Sequence, residues 1–170
     1  MTDPAAALRA ALIRNIDTVA THRELREPLY DTVCARLGTG TAATKLGIGI
    51  DTLAPGKRGC PYHAHYAQEE AFVVLAGQGH LRVAGQMLQI GAGDVVFIPP
   101  GPDYPHQIIN TSDAPLRYLS ISTRDSPEMV EYPDSGKFMT QAGGPRDGAP
   151  SRVDHVFRTG DGLDYWDGEP

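Results

Sequence analysis

The chain has 170 residues, the usual size of one domain and enough to bury a sizeable hydrophobic core. Its formal net charge is −6, with 15 Lys and Arg against 21 Asp and Glu, so it offers no basic footprint for nucleic acid or an anionic membrane, and we expect a small-molecule partner. It contains no apolar run long enough to span a bilayer and no basic segment before a hydrophobic stretch near its amino end, which predicts a cytoplasmic, soluble protein.

The first predicted element is a helix over residues 4–16, followed by an arm that reaches residue 32. Asp3 is a suitable N-cap, and Pro4 occupies the first helical position. Apolar residues recur every four positions on one helix face, at Leu8, Leu12 and Ile16. Residues 17–34 show no further helical periodicity, so the sequence disfavours an amino-terminal helix-turn-helix.

Strand patterns dominate residues 33–133 and recur at intervals of about ten residues. The predicted strands are 44–53, 70–76, 79–84, 86–90, 94–98, 106–110, 115–123 and 128–132. No helix-length pattern falls between residues 44 and 132, so the sheets are expected to be antiparallel. The sequence therefore predicts an all-β domain, such as a jelly roll or double-stranded β-helix, with one short helix before it.

Candidate metal ligands are concentrated in residues 61–77, which read PYHAHYAQEEAFVVLAG. His63 and His65 are two residues apart, so on a strand both imidazoles leave the same face, with Cα atoms about 6.5–6.8 Å apart. Glu70 follows a short polar turn and leads into an apolar run that predicts a buried strand. A carboxylate at the mouth of a buried strand needs a partner, and a cation shared with the two imidazoles is one solution.

The best candidate for a fourth ligand is His106, in the downstream segment GDVVFIPPGPDYPHQIIN. Three imidazoles and a carboxylate suit a divalent transition metal ion such as Fe, Mn, Ni or Zn and leave coordination positions open. The alternative is a pair of surface histidines, with His106 capping a loop.

With these residues in place, the sequence resembles the cupins, whose first motif is GxxxxxHxHxxxxE followed by six residues and Gly. From its first His onward the residues that match are His63, His65, Glu70 and Gly77. The second cupin motif is GxxxxxPxGxxHxxxN, and the residues that match are Gly93, Pro99, Gly101, His106 and Asn110. Two departures lie in turns: four residues instead of two separate Gly101 from His106, and six instead of five separate Gly56 from His63.

The resemblance implies a cupin jelly roll with one metal ion held by His63, His65, Glu70 and His106. The chain is also similar to small single-domain cupins of unassigned activity that end in a Tyr-Trp-Asp-Gly-Glu sequence. Cupins include dioxygenases, isomerases and decarboxylases, and no motif here selects among them.

Other residues near the motifs are weaker candidates. Phe72, Val74 and Ile108 share strand parity with the ligands and are predicted to line an apolar pocket, although core packing would also explain them. Tyr104 and Gln68 are weak catalytic candidates, because solvation of their turns explains either residue equally well.

The carboxy-terminal extension covers residues 134–170. Residues 134–151 are rich in Gly and Pro and predict an extended loop, and residues 153–158 predict one more edge strand. Leu163, Tyr165 and Trp166 are expected to pack on the barrel or on a neighbouring subunit.

The ligand set and the apolar wall favour a metal-dependent enzyme that acts on a small organic molecule, with oxygenase-type chemistry as the leading expectation. The alternatives are a cupin isomerase and a non-catalytic protein that binds or senses a metal or small molecule. Exposed edge strands in such barrels often pair across a two-fold axis, so we also expect a homodimer.

Overall fold

The structure is a computed structural model and describes residues 3–142 and 153–170. Within these ranges it contains the helix α1 (Pro4–Leu12), a 3₁₀ turn (Pro133–Ser135) and thirteen strands. The strands are β1 (His22–Arg26), β2 (Tyr30–Arg36), β3 (Leu46–Leu53), β4 (Ala64–His65), β5 (Glu70–Ala76), β6 (Gln78–Val83), β7 (Gln86–Gly91), β8 (Val95–Ile98), β9 (His106–Ile109), β10 (Leu116–Thr123), β11 (Glu128–Tyr132), β12 (Lys137–Ala142) and β13 (Val153–Arg158).

The strands form three sheets in which neighbouring strands run antiparallel. The orders are β1-β2-β3-β10-β5-β8, β13-β12-β11-β4 and β7-β6-β9. The predicted all-β fold with a single short amino-terminal helix is therefore confirmed. No helix in the described ranges is both long and apolar enough to cross a membrane.

The main core lies between the six-stranded and the three-stranded sheets. Its buried side chains come from β3, β5, β6, β7, β8, β9 and β10, so both sheets contribute. Leu53 of β3 and Leu116 of β10 are fully buried and oppose each other in the β3–β10 register. This packing fixes the strands whose ends carry the candidate ligands.

The helix is shorter than predicted: α1 ends at Leu12, whereas the predicted helix reached residue 16. Ile13 has an extended backbone, and Leu8 and Leu12 remain 62% and 64% exposed. Ile16 packs against a small cluster that includes Ala35 and Ile50. The chain leaves the helix because this contact buries Ile16 against the sheet, which continuing the helix would not achieve.

Regular pairing begins upstream of residue 33. Strand β1 pairs along its whole length with β2, whose first residue is Tyr30. All five residues of β1 are exposed, so the strand has no apolar alternation from which the sequence could reveal it.

The predicted extended loop over residues 134–151 is wrong for its first part. Lys137–Ala142 forms β12, which pairs with β11 on one side and with β13 on the other. Pairing on both edges satisfies the backbone hydrogen-bonding groups of this segment. The Gly and Pro residues around it are the reason that the sequence predicted a loop. Residues 143–151 of the predicted loop lie outside the described residues.

The terminal apolar side chains do not pack on the barrel in this chain. Leu163, Tyr165 and Trp166 are 80%, 83% and 70% exposed. The rings of Tyr165 and Trp166 contact each other edge to face, with centroids 4.8 Å apart. Packing on a neighbouring subunit stays a prediction.

Candidate metal centre

The backbone brings the two cupin-like motifs together through a pair of reciprocal hydrogen bonds. The amide of His63 donates to the carbonyl of His106 at 3.1 Å, and the amide of His106 donates to the carbonyl of His63 at 2.7 Å. Residues paired in this way project their side chains from the same face of a sheet. His106 therefore stands beside His63, with ring centroids 4.5 Å apart.

The longer turn before His106 does not displace it. Gly101 donates its amide hydrogen to the carbonyl of His65 at 2.7 Å, and the carbonyl of Pro105 accepts from Ala84 at 3.0 Å. Both ends of the turn are thus fixed to the barrel, and the extra residues are accommodated between them.

The Nε2 atoms of the three imidazoles and the carboxylate of Glu70 converge on one point. Nε2 of His63 lies 3.1 Å from Nε2 of His65. Oε2 of Glu70 lies 2.8 Å from Nε2 of His106, 3.5 Å from Nε2 of His65 and 3.9 Å from Nε2 of His63. Ligands around one ion with bonds near 2.1 Å are separated by about 3 Å, so these spacings match a shared cation.

The opposite ring nitrogens point away from this centre. Nδ1 of His63 lies 2.8 Å from the carbonyl oxygen of Pro61, and Nδ1 of His106 lies 3.2 Å from that of Tyr104. A carbonyl only accepts, so Nδ1 carries the proton in both rings and Nε2 presents a lone pair. This is the orientation that a histidine ligand adopts in a metal site.

Besides Nδ1 of His65, two buried atoms of the centre have no hydrogen-bond partner among the described residues. They are Oε2 of Glu70 and Nε2 of His106, whose 2.8 Å contact lacks hydrogen-bond geometry. Two lone-pair atoms that face each other in a buried site repel unless a cation lies between them. The residues therefore fit a divalent metal ion.

The electrostatics of the centre keep its donors in the form that binds a metal. Burial, together with the neighbouring charges of His106 and His65, lowers the pKa of His63 to about 4. Burial acts to raise the pKa of Glu70, but the surrounding imidazoles outweigh it and hold that pKa below its ordinary value. A neutral imidazole and an ionised carboxylate are the states that coordinate a metal ion.

His63, Glu70 and His106 each offer an atom within 4.8 Å of the other two, and this group could hold a metal ion. His65 contacts two of the three. A second group of donors, His22, Glu24 and Cys34, lies on β1 and β2. The side chains of His22 and Glu24 are each 57% exposed.

Glu128 supports the centre from outside and was missed from the sequence. Its carboxylate accepts the backbone amides of Tyr66, Ala67 and Gln68 at 3.0, 3.3 and 2.8 Å. It also lies 3.8 Å from Nδ1 of His65. No local pattern marks it, because the turn that it holds is about sixty positions earlier in the chain.

The weak catalytic candidates do not reach the convergence point with a hydrogen bond. The side chain of Gln68 donates to the carbonyl of Asp125, and the backbone carbonyl of Tyr104, not its phenol, contacts His106. The Tyr104 side chain is 47% exposed and lines a surface groove beside β8.

The predicted pocket-lining residues belong to the core. Phe72, Val74 and Ile108 are 6%, 1% and 2% exposed and pack in the main cluster. The ring of Phe72 lies 5.7 Å from that of His106, so these side chains support the centre from within the barrel. Their alternation identified the inward face correctly, but it could not distinguish a pocket wall from a packed interior.

A cavity of about 350 Å³ reaches Glu70 from the neighbouring strands. Its walls are Arg36, Gly38, Thr39, Leu46, Gly47, Ile48, Gly49, Glu70, Ser120, Ser122 and Arg124. This lining combines hydroxyl and guanidinium groups with exposed backbone, and it differs from the apolar wall expected from the sequence.

Comparison with known proteins gives relatives of the same architecture. A curated relative, an uncharacterized protein of Methanocaldococcus jannaschii, is 29% identical over 98 residues, which are 58% of this chain and 70% of the relative. A solved structure from Acidithiobacillus ferrooxidans, provisionally described as a sugar phosphate isomerase, has a TM-score of 0.77 and 26% identity and covers 92% of this chain and 97% of its own.

Two further solved structures share the fold at lower identity. A sugar phosphate isomerase of the cupin superfamily from Silicibacter pomeroyi has a TM-score of 0.73 and 23% identity, over 89% of this chain and 96% of its own. A predicted oxalate decarboxylase from Thermotoga maritima has a TM-score of 0.57 and 23% identity, over 66% of this chain and 98% of its own. The Cupin_2 family, described as the cupin domain, matches residues 49–122. The chain therefore contains a cupin domain, which includes residues 49–122.

Proposed function

We propose that this protein is a metal-dependent isomerase that moves a proton between neighbouring carbons of a small hydroxy-carbonyl compound of the sugar phosphate class. The observation that carries the proposal is the polar cavity that ends at Glu70 of the metal centre. Its serine and arginine side chains suit a hydroxylated, anionic substrate better than an apolar one.

The residues of the chain divide into two roles in this proposal. His63, His65, Glu70 and His106 hold the ion, which when bound supplies Lewis acidity toward a carbonyl or hydroxyl oxygen. The cavity beside Glu70 positions the rest of the substrate. Phe72, packed 5.7 Å from the ring of His106, keeps water away from the inner side of the centre.

The solved structure from A. ferrooxidans supports the proposal of an isomerase. It matches 92% of this chain at 26% identity and is itself provisionally described as a sugar phosphate isomerase. The match to this solved structure extends beyond residues 49–122, the part of the chain that the cupin family matches.

Oxygenase-type chemistry, which the ligand set favoured, remains the second candidate because the same four ligands suit Fe(II). Its other support was an apolar pocket wall, and the cavity at Glu70 is only partly apolar, through Leu46 and Ile48. Simple binding of a metal or small molecule is the non-catalytic alternative.

One experiment separates these functions. Protein reconstituted with Mn, Fe(II), Ni or Zn is incubated in D₂O with a panel of aldose and ketose phosphates, and products and deuterium incorporation are followed by NMR. We expect interconversion with solvent deuterium at the reacting carbon in the wild-type protein and none in Glu70→Ala. Oxygen uptake by the Fe(II) form without isomerisation would favour the oxygenase, and silence in both assays would favour binding alone.

We also propose a cytoplasmic homodimer with a small-molecule ligand. Strand β8 is an edge of the six-stranded sheet, and its Phe97 is 71% exposed, which is typical of a strand that another subunit covers. Light scattering tests the dimer: we expect a molar mass in solution of twice the 18.3 kDa of one chain.

A further inference from the structure

The wall of the cavity beside Glu70 is built by strand register. Across β2, β3 and β10, the residues Arg36, Gly49 and Ser120 oppose one another in turn. One pair further along, Ser122 opposes Gly47 on β3 and Glu70 on β5. Directly opposed residues share a face, so the two serines, the arginine and the metal-centre carboxylate all face one space.

The two glycines leave room that any other residue would fill. A Cβ at Gly49 would lie 2.7 Å from Oγ of Ser120 and 2.9 Å from Nη1 of Arg36. A Cβ at Gly47 would lie 2.8 Å from Oγ of Ser122 and 3.9 Å from Cγ of Arg124. The hydroxyls and the guanidinium of Arg36 therefore pack directly over bare backbone, in space that only glycine leaves for them.

The charges of this recess favour an anion. Arg36 and Arg124 both line the cavity. The carboxylate of Asp51 lies 4.0 Å from Nη1 of Arg36 and accepts a hydrogen bond from Oγ of Ser120 at 2.9 Å. Burial raises the pKa of Asp51 above its ordinary value, although the hydrogen bond from Ser120 and the charge of Arg36 act in the opposite direction. Arg36 itself is 58% exposed in its side chain and so retains donors for a ligand.

We infer that Arg36, Arg124 and Ser120 form a phosphate-binding subsite that anchors the end of the substrate remote from the metal centre. The assignment rests on the proposed function, because it names the part of the substrate that this side of the cavity binds. Arginine and hydroxyl donors are the groups that bind phosphate oxygens most directly.

The spacing suits a short phosphorylated chain. The guanidinium of Arg36 lies over β3, which is two strand positions from β5 and Glu70, or about 10 Å at the usual strand separation. A phosphate held there places carbons a few bonds away beside the metal centre. The class of ligand is therefore a monophosphate ester whose reacting hydroxy-carbonyl group lies at the opposite end.

The test measures binding of inorganic phosphate by calorimetry to the metal-loaded protein and to three variants. Arg36→Met removes the charge, and Gly49→Ala keeps the charge but moves Arg36 and Ser120. Arg26→Met is the matched control, since Arg26 is an exposed arginine that contacts its neighbour's carbonyl and does not line the cavity.

We expect Arg36→Met to weaken phosphate binding at least about tenfold, the usual cost of losing a charge-assisted contact. Gly49→Ala is expected to weaken it several-fold, while Arg26→Met binds as the wild type does. Thermal unfolding confirms that each variant is folded. Absence of phosphate binding by the wild type, equal binding by Arg36→Met, or an equal loss in Arg26→Met would each overturn the subsite.

The outcomes also separate this inference from the proposed function. Phosphate binding that depends on Arg36, in a protein that isomerises nothing in the panel, overturns the isomerase and retains the subsite. Isomerase activity with an unchanged KM for sugar phosphates in Arg36→Met retains the function and overturns the subsite.

Discussion

Glu128 is the residue on which the turn between His65 and Glu70 depends. Its carboxylate is 4% exposed and accepts three backbone amides from residues 66–68. Because the turn separates two metal ligands, its geometry sets how closely they approach each other.

We predict that Glu128→Ala lowers the free energy of unfolding by about 2–4 kcal/mol, since the part-buried amides of Ala67 and Gln68 lose their acceptor and that of Tyr66 keeps only the carbonyl of Met129. Metal affinity is expected to fall about 10- to 100-fold, as when other supporting contacts of a metal ligand are removed. Urea unfolding and competition with a chelator measure the two effects. Glu69→Ala, which removes an exposed carboxylate from the same turn, is the control, and equal behaviour of the two variants would contradict the prediction.

His63 makes the stability of the metal-free protein depend on pH. Its pKa is about 4 in the folded chain and 6.5 ordinarily, so the unfolded chain takes up a proton first as the pH falls. The contribution is complete above pH 6.5 and is lost between 6.5 and 4, by about 3 kcal/mol in total. Urea unfolding of metal-free protein across this range should show a steeper loss for wild type than for His63→Gln. Parallel curves would refute this effect.

Among single residues, sequence spacing selected four candidate ligands. In the structure a donor atom of each lies within 4 Å of a donor atom of at least one other candidate. Glu128, Arg36, Ser120 and Ser122 could not be selected in this way. Their positions depend on pairing between strands that are far apart in sequence, and a single residue with no local motif gives no sign of its partners.

Among the elements, β5 depends on a glycine at its end. Gly77 has a φ of +82°, and a Cβ there would clash with the carbonyl oxygen of Pro115 and lie 3.1 Å from Cα of Leu116. The backbone of β10 thus approaches β5 more closely than a side chain allows, and β5 begins with the ligand Glu70.

We predict that Gly77→Ala destabilises the protein by several kcal/mol, because the neighbour is backbone and cannot move aside cheaply. Gly85→Ala is a matched control: its φ is +76°, but nothing lies within 4 Å of the added Cβ. That variant should cost only about 1 kcal/mol, the usual strain of a left-handed residue. Chemical unfolding of both variants measures the two losses of stability. If the Gly85 variant loses as much stability as the Gly77 variant, the close approach of the backbone is not the cause.

Most elements that sequence reasoning identified have a buried face, although the predicted edge strand 153–158, which is β13, is exposed throughout. The predicted strand 70–76 coincides with β5, and 128–132 coincides with β11. It missed β2, although four of its residues are buried, and it missed β1 and Lys137–Ala142, which carry no fully buried residue. Their pairing partners, not their own side chains, hold them in place, so hydrophobic alternation could not show them.

For the whole molecule, three sheets place one metal centre at the end of one cavity. The six-stranded sheet contributes Glu70 and the polar wall, while the segment around β4 and the start of β9 contribute the histidines. The fold class followed from the sequence because short strands and turns repeat along the chain. The polar character of the cavity did not, because it depends on the register of four strands.

We propose that His63, His65, Glu70 and His106 together hold a single cation. Metal content by mass spectrometry, after reconstitution with Mn or Zn and removal of excess ion, tests it most directly in wild type, Glu70→Ala and His22→Ala, the last disabling the donor group on β1 and β2. We predict about one ion per chain in the wild type and in His22→Ala, and almost none in Glu70→Ala. An undiminished ion in Glu70→Ala, or its loss in His22→Ala, would contradict the account.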